Sequence, residues 1–213
     1  MAQAPARGRV VIDLFTTLDG VAQAPGGPEE DTSGGFRFGG WQAPIPDTMV
    51  GEQVMAYIET MDALLLGRRT YDIFAAYWPH HTEGAVGIIG RTFTRVPKYV
   101  ASRGTPALEW EGTTQLGADV LAEVDALRDR HAEIHVVGSI DFVQTLLAGG
   151  TFDELRLWVH PIVLGEGRRV FPDGATPARL ALIEPPLTGD AGVVQLRYAP
   201  AGVPTTGDMT PDE

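Results

Sequence analysis

Residues 63–76 read ALLLGRRTYDIFAA, and the architecture turns on them. The first four are an apolar run of the length of a buried strand. Gly67 ends the run, and apolar side chains return at helical spacing over 69–76. A strand that passes through a glycine turn straight into a helix is the building unit of a parallel sheet. Two other stretches share the form. Residues 98–101 (KYVA) read as a strand ending at Ser102-Arg103, and residues 134–137 (IHVV) as a buried strand leading through Gly138-Ser139 into a helix over 141–147.

Working outward, residues 9–18 (RVVIDLFTTL) are β-branched and apolar and stop at Asp19-Gly20, a turn dipeptide, so they make a strand. Residues 20–46 hold seven glycines, four prolines and the acidic run Glu29-Glu30-Asp31, broken by Phe36, Phe38 and Trp41. A loop this long is a lid, a binding loop or an insert, and its aromatics favour a packed lid. Helices are expected over 47–60, where Asp47 or Thr48 caps Met49, Val50, Val54, Tyr57 and Ile58, and over 86–93 and 116–130. A short strand is expected at 108–110. Residues 154–164, 179–183 and 193–198 look like strands with no helix between them, which predicts an antiparallel end to the sheet. The expected class is α/β, a single domain over 9–199 with a mainly parallel central sheet and antiparallel C-terminal strands. Residues 1–8 and 200–213 lack an apolar period and are expected to be disordered tails.

Composition removes whole classes of function. Hydrophobic residues make up 44% and charged residues 21% of 213, a globular balance. With no cysteine, thiolate chemistry and cysteine-ligated zinc are excluded, so a borrowed cofactor becomes attractive. The net charge of −12 with no cluster of Lys and Arg argues against nucleic acid and against an anionic membrane. No apolar stretch approaches a membrane span, and residues 1–8 lack a signal-peptide core, from which a cytoplasmic location is expected. The five histidines show no metal-ligand spacing, so no metal is expected: His80-His81 reads as a solvated turn, His135 and His160 as sheet residues.

Ligands of open α/β sheets settle beyond the carboxyl ends of the strands, where helix N-termini favour anions. Gly67-Arg68-Arg69-Thr70 offers such an end with two guanidiniums and a hydroxyl, Ser102-Arg103 a hydroxyl and a third guanidinium, and Val137-Gly138-Ser139-Ile140 a glycine opening a helix. Each alone is an ordinary strand-to-helix turn. Together, two Arg-plus-hydroxyl turns suit a ligand with two phosphate groups, such as a phosphorylated dinucleotide. The G-x-G-x-x-G fingerprint and the P-loop are both missing, as is the G-x-S-x-G elbow of a serine hydrolase. Asp19 either caps its own turn or faces a substrate as a polar anchor, with Glu52 and Glu166 as weaker candidates for that role.

Taken in order, these turns resemble the dihydrofolate-reductase-like superfamily, most closely the reductase domain of the bifunctional riboflavin-biosynthesis deaminase-reductase. The resemblance covers about residues 10–198. It rests on Thr17-Leu18-Asp19-Gly20, on Leu65-Leu66-Gly67-Arg68-Arg69-Thr70-Tyr71, on Lys98-Tyr99-Val100-Ala101-Ser102-Arg103, on Val137-Gly138-Ser139, and on the run from Asp153-Glu154-Leu155 through Pro161-Ile162-Val163-Leu164-Gly165-Glu166-Gly167 to Phe171. It implies a three-layer fold and an NADPH-dependent reductase acting on a small heterocyclic or carbonyl substrate, pterin-like or ribosylamino-pyrimidine-like. By the same resemblance Gly67, Arg68, Arg69 and Thr70 hold cofactor phosphate, Ser102 and Arg103 the adenosine 2′-phosphate, and Val137, Gly138, Ser139 and Ile140 the pyrophosphate. Thr17, Leu18 and Asp19 flank the nicotinamide and the substrate, and Trp41, Tyr71, Phe74 and Trp78 wall the substrate. Two positions depart from the pattern: Val137 stands where pyrimidine reductases carry an acid, and Glu52 is the nearest match to the carboxylate on the first helix of dihydrofolate reductases.

The cofactor would then carry the hard chemistry, Asp19 would organise protonation, and the loop over 20–46 would close over the substrate. The rival reading is a non-catalytic NADPH-binding or sensor protein that keeps the fold. A homodimer is expected, with the apolar strands over 155–164 and 193–198 pairing or packing between subunits.

Overall fold

The computed structural model describes residues 7–209. In chain order it contains β1 (Arg9–Thr17), α1 (Thr48–Thr60), β2 (Ala63–Gly67), α2 (Arg68–Tyr77), α3 (Gly87–Arg95), β3 (Lys98–Ala101), β4 (Thr113–Gln115), α4 (Val120–Leu127), β5 (Glu133–Val136), α5 (Ile140–Gly149), β6 (Glu154–His160), β7 (Leu180–Leu182), β8 (Leu187–Thr188) and β9 (Val194–Pro200). The strands form one sheet in the order β4-β3-β2-β5-β1-β6-β9-β7, with β8 also paired to β9. Ladders from β4 to β6 are parallel, and those made by β9 are antiparallel, as the helix-free last third of the chain predicts.

The central strands are largely apolar on both faces because helices cover both, with Asp13, Lys98 and His135 as ionisable exceptions. On one side Val10, Ile12, Leu65, Ile134 and Val136 pack against Val124 and Leu127 of α4 and Phe142, Val143 and Leu146 of α5. On the other, Leu64, Leu66 and Val100 meet Ile58 of α1, Tyr71 of α2 and Phe93 of α3. This is the expected three-layer arrangement. Local chemistry sets the helix limits. The Asp47 carboxylate accepts from the Val50 amide at the start of α1, and Gly150, in the left-handed region at φ 64°, closes α5 with its amide bonded to the carbonyls of Leu146 and Leu147. Buried Lys98 donates to the carbonyls of Phe93, Thr94 and Val96, so one ammonium satisfies the end of α3.

Several expected boundaries are corrected. The strand expected at 108–110 is irregular, and the edge strand is Thr113–Gln115. Trp110 is instead a core residue against Tyr71. The helix expected from 116 starts at Val120, because Leu116 still donates to Val100 as part of the sheet and Asp119 supplies the cap. The strand expected to reach 164 stops at His160, where Pro161 has no amide to give and Ile162 turns back to the His160 carbonyl. Both edges of β6 and of β9 are occupied within the chain, so neither strand is open for pairing between subunits.

Of the expected tails, residues 1–6 and 210–213 lie outside the described residues. Nearer the fold the expectation is corrected: Gly8 donates to the Arg128 carbonyl, Pro200 belongs to β9, and Ala201 donates to the Arg179 carbonyl. Among the described residues no helix is long and apolar enough to cross a membrane, and no group of three or more His, Asp or Glu is placed to hold a metal ion.

Candidate functional site

Strands β2 and β5 are neighbours, with Leu65 beside Val136, so the turns that follow them lie side by side. The Gly67 amide donates to the Gly138 carbonyl at 3.0 Å. The two glycines permit this approach. A Cβ on Gly67 would stand 2.7 Å from Ser139 Oγ and 2.8 Å from the Ser139 amide nitrogen, and one on Gly138, whose φ of 139° already disfavours a side chain, would stand 2.6 Å from Thr70 Oγ1. Ser139 Oγ in turn accepts from the Thr70 amide at 3.0 Å and from Thr70 Oγ1 at 3.1 Å. Helices α2 and α5 therefore begin next to each other, and neither N-cap residue, Gly67 or Ser139, caps its own helix. Two helix N-termini converging this way present unpaired amides and the positive ends of two dipoles, which is an anion-binding arrangement.

The turns open on a cavity of about 810 Å³ between the sheet and helices α1 to α3, rimmed by residues 22–31. Arg69, Thr70, Val137, Gly138, Ser139 and Ile140 line it at the turns, and Phe74 and Trp78 form an aromatic wall. Arg69 lies 3.4 Å from the Asp31 carboxylate at the rim. Nearby Glu30 accepts from the amides of Gly26 and Gly27, while burial pushes its carboxyl up. The floor is crossed by β1, which contributes Asp13 and Phe15. Asp13 accepts from Arg156 Nη1 at 2.7 Å and from Trp158 Nε1 at 2.5 Å. Arg156 is fully buried, its guanidinium carbon 3.3 Å from the Tyr57 ring centroid. Behind it, burial alone would raise the Glu154 carboxyl, but the hydrogen bond from Arg197 and the charges of Arg156 and Arg197 hold it at about 2.

Residues 9–191 match the family whose description is "RibD C-terminal domain". The chain belongs to that family. It is 27% identical over 192 residues to the uncharacterized protein YyaP of Bacillus subtilis (strain 168), covering 89% of this chain and 94% of that one. Among solved structures it is similar to a pyrimidine reductase-like protein from Corynebacterium diphtheriae, with TM-score 0.58, 14% identity, and coverage of 91% of this chain and 92% of that one. It is also similar to the dihydrofolate reductase of Enterococcus faecalis complexed with NADP(H), with TM-score 0.55, 14% identity, and coverage of 91% and 97%. At these identities the structural likenesses establish the fold, and the fold is that of the dihydrofolate-reductase-like and RibD-type reductases.

Within this RibD C-terminal domain, the residues singled out from sequence divide into three sets. The turn residues and the Phe74–Trp78 wall meet at the cavity as described. A second set sits beside it: Gly67 is buried behind the turn, Arg68 turns outward to pair with Asp72, and Ser102 and Arg103 lie one step past Ala101, which neighbours Gly67 in the sheet. Arg103 is exposed and makes no hydrogen bond or ion pair among the described residues.

The third set lies outside the cavity lining. Asp19 does not line the cavity; it accepts from the amides of Leu164 at 3.2 Å and Gly165 at 2.9 Å and from Thr17 Oγ1 at 2.7 Å. Burial works to raise its carboxyl, but the Thr17 hydroxyl and the two amides bring it down to about 2, the signature of a carboxylate that binds its own loop. Thr17 is buried in the same knot, Leu18 is 68% exposed, and Glu52 is exposed on α1 away from the cavity. Trp41 donates to the Gln23 carbonyl and packs edge-on against His160, holding the long loop together. Tyr71 is a core residue whose hydroxyl accepts from the Trp110 amide, and Glu166 pairs with Arg37 on the surface.

The sequence reading missed Asp13, His135 and Arg168, all of which line the cavity. For Asp13 a signal existed: a lone acid inside RVVIDLFTT falls, by period two, on the face of Val11 and Phe15, and an ionisable group in a strand buried on both sides needs a reason.

Proposed function

We propose that this RibD C-terminal domain is a reductase that uses NADPH to reduce a small heterocyclic or carbonyl compound. The observation that carries the reading is the pair of helix N-termini, of α2 and α5, neither capped by its own N-cap residue, locked together by Gly67, Gly138 and the Ser139 hydroxyl that takes the Thr70 amide, and opening with Arg69 on one large cavity. These groups fit a dinucleotide. The first-turn amides of α2 and α5 and the Arg69 guanidinium would hold the pyrophosphate, exchanging Asp31 for it, and the unpaired Arg103 with the Ser102 hydroxyl would take the adenosine 2′-phosphate. NADPH, when bound, supplies a hydride. The chain's own part is to hold the turns at fixed spacing, to keep water from the reacting carbon with Phe74, Trp78 and the rim over 22–31, and to orient the substrate. In this reading Asp19 serves to hold its loop, because three of its acceptor positions are taken by Thr17 and by the amides of Leu164 and Gly165.

Calorimetric titration with NADPH, NADP⁺ and NADH tests the reading. The expected result is binding of both phosphorylated forms at least tenfold tighter than NADH. Equal affinity for NADH would remove Ser102 and Arg103 from the site, and no binding of any of the three would remove the cofactor altogether. Tight NADPH binding without oxidation across carbonyl, quinone, pterin and aminopyrimidine compounds would favour the binding-protein alternative.

A further inference from the structure

We propose that Asp13 anchors the substrate, and that the substrate is an uncharged or cationic ring compound that presents N–H donors and carries no phosphate. The proposal rests on the reductase reading for the role of the cavity, and on the following geometry for its content. Both donors that fix Asp13, Arg156 and Trp158, come from β6, the neighbouring strand. A carboxylate has about four acceptor positions, so two remain, and the 13% of the side chain that is exposed belongs to the cavity lining. Asp13 is thus a pre-oriented acceptor aimed into the floor.

The charge that balances it does not reach the ligand. Arg156 is 2% exposed, covered by the Tyr57 ring and shared with Glu154. Phe15, Val54, Tyr57, Ile58 and Met61 line the same cavity and none is a cation, while His135 of β5, the partner of Val11 on the same sheet face, also lines it and is bonded to Glu133. The two guanidiniums that do line the cavity, Arg69 and Arg168, stand on other walls, each beside a carboxylate, Asp31 at 3.4 Å and Asp141 at 3.6 Å. An anionic group brought to the floor would face Asp13 across a poorly solvated gap, where like charges repel strongly. A ring without donors would strip water from the carboxylate and replace it with nothing. Only a ring with N–H groups on one edge gains from both the apolar walls and the acceptor.

The test uses the full chain and small probes: benzamidine and 2-aminopyridine as donors, benzoate and phenyl phosphate as anions, followed by ligand-observed NMR with and without saturating NADP⁺. The expected result is binding of both donors, at least tenfold weaker binding of both anions, and at least a tenfold loss of benzamidine affinity in Asp13→Asn with its fold checked by far-UV circular dichroism. Val54→Arg, which sets a cation on the α1 wall, is expected to reverse the preference toward benzoate, and it stands as the second test should Asp13→Asn not fold. With NADP⁺ saturating, so that the anion site at the helix starts is filled, anions binding as tightly as benzamidine, or a folded Asp13→Asn with unchanged benzamidine affinity, would overturn the proposal. NADP⁺ binding without this selectivity sinks the Asp13 assignment and leaves the reductase reading; selectivity without NADP⁺ binding sinks the reductase reading and supports Asp13.

Discussion

The turn after β1 and the turns after β2 and β5 look alike as sequence, each a strand end followed by a glycine and polar residues: Thr17-Leu18-Asp19-Gly20 against Gly67-Arg68-Arg69-Thr70 and Val137-Gly138-Ser139-Ile140. In the fold they serve opposite ends. The β2 and β5 turns meet over the cavity, while the β1 turn is knotted into the loop after β6. The difference is strand length. The β1 ladder with β5 ends at Ile12 beside Val136, but β1 runs on against β6 as far as Thr17 beside His160. Those extra residues are roughly 16 Å of extended chain at about 3.3 Å each. The cavity therefore meets β1 in mid-strand, at Asp13 and Phe15, and meets β2 and β5 at their ends. Equivalent motifs do equivalent work only when the strands bearing them stop at the same level.

Substitutions at the two kinds of turn separate their roles. The largest effect is expected from Gly67→Ala, whose new Cβ meets the backbone of Ser139 and forces the two turns apart. NADPH affinity should fall by about a hundredfold, with a stability loss of about 1–3 kcal/mol from overpacking, read by calorimetry and denaturant unfolding. Asp19→Asn should do the reverse, costing about 1–3 kcal/mol of stability by weakening the loop's charge-assisted hydrogen bonds while leaving NADPH affinity unchanged. Because the Asp19 carboxyl is depressed to about 2 in the fold, its contribution is fully present above about pH 4 and is lost as pH falls through 2. The gap in unfolding free energy between the native protein and Asp19→Asn should narrow over that window; a gap independent of pH would contradict the assignment. The smallest effect is expected from Arg103→Ala, about a tenfold loss for NADPH and none for NADH, with stability unchanged.

Much of the fold was legible because its elements are locally consistent. The KYVA strand, the Asp47-capped helix and the strand-to-helix turns after β2 and β5 all follow from periodicity and caps, whereas the turn at Ser102-Arg103 leads to strand β4 and not to a helix, and the antiparallel end follows from the missing helices. The elements that escaped are those whose partners decide them. The strand Thr113–Gln115 is polar and gains its identity from pairing with β3, and Leu187–Thr188 is two residues long. The turns proposed to hold the cofactor were legible as a cluster because glycine and arginine mark them in one dimension. The proposed substrate end was not. Whether Trp41 and Tyr71 face a cavity or a core depends on what packs against them, and Asp13 acquires meaning only when β6 brings Arg156 and Trp158 alongside.

In the proposed reductase the N-termini of α2 and α5 form one anion site for a dinucleotide. Amide hydrogen exchange with and without saturating NADP⁺ tests it most directly, because it reports on the amides themselves. Slowed exchange at residues 68–69 and 140–142, whose amides are not taken within the fold, with none at 18–21 or 164–167, is the predicted result. Unchanged exchange at both helix starts with NADP⁺ bound, or protection confined to the turn after β1, would contradict it.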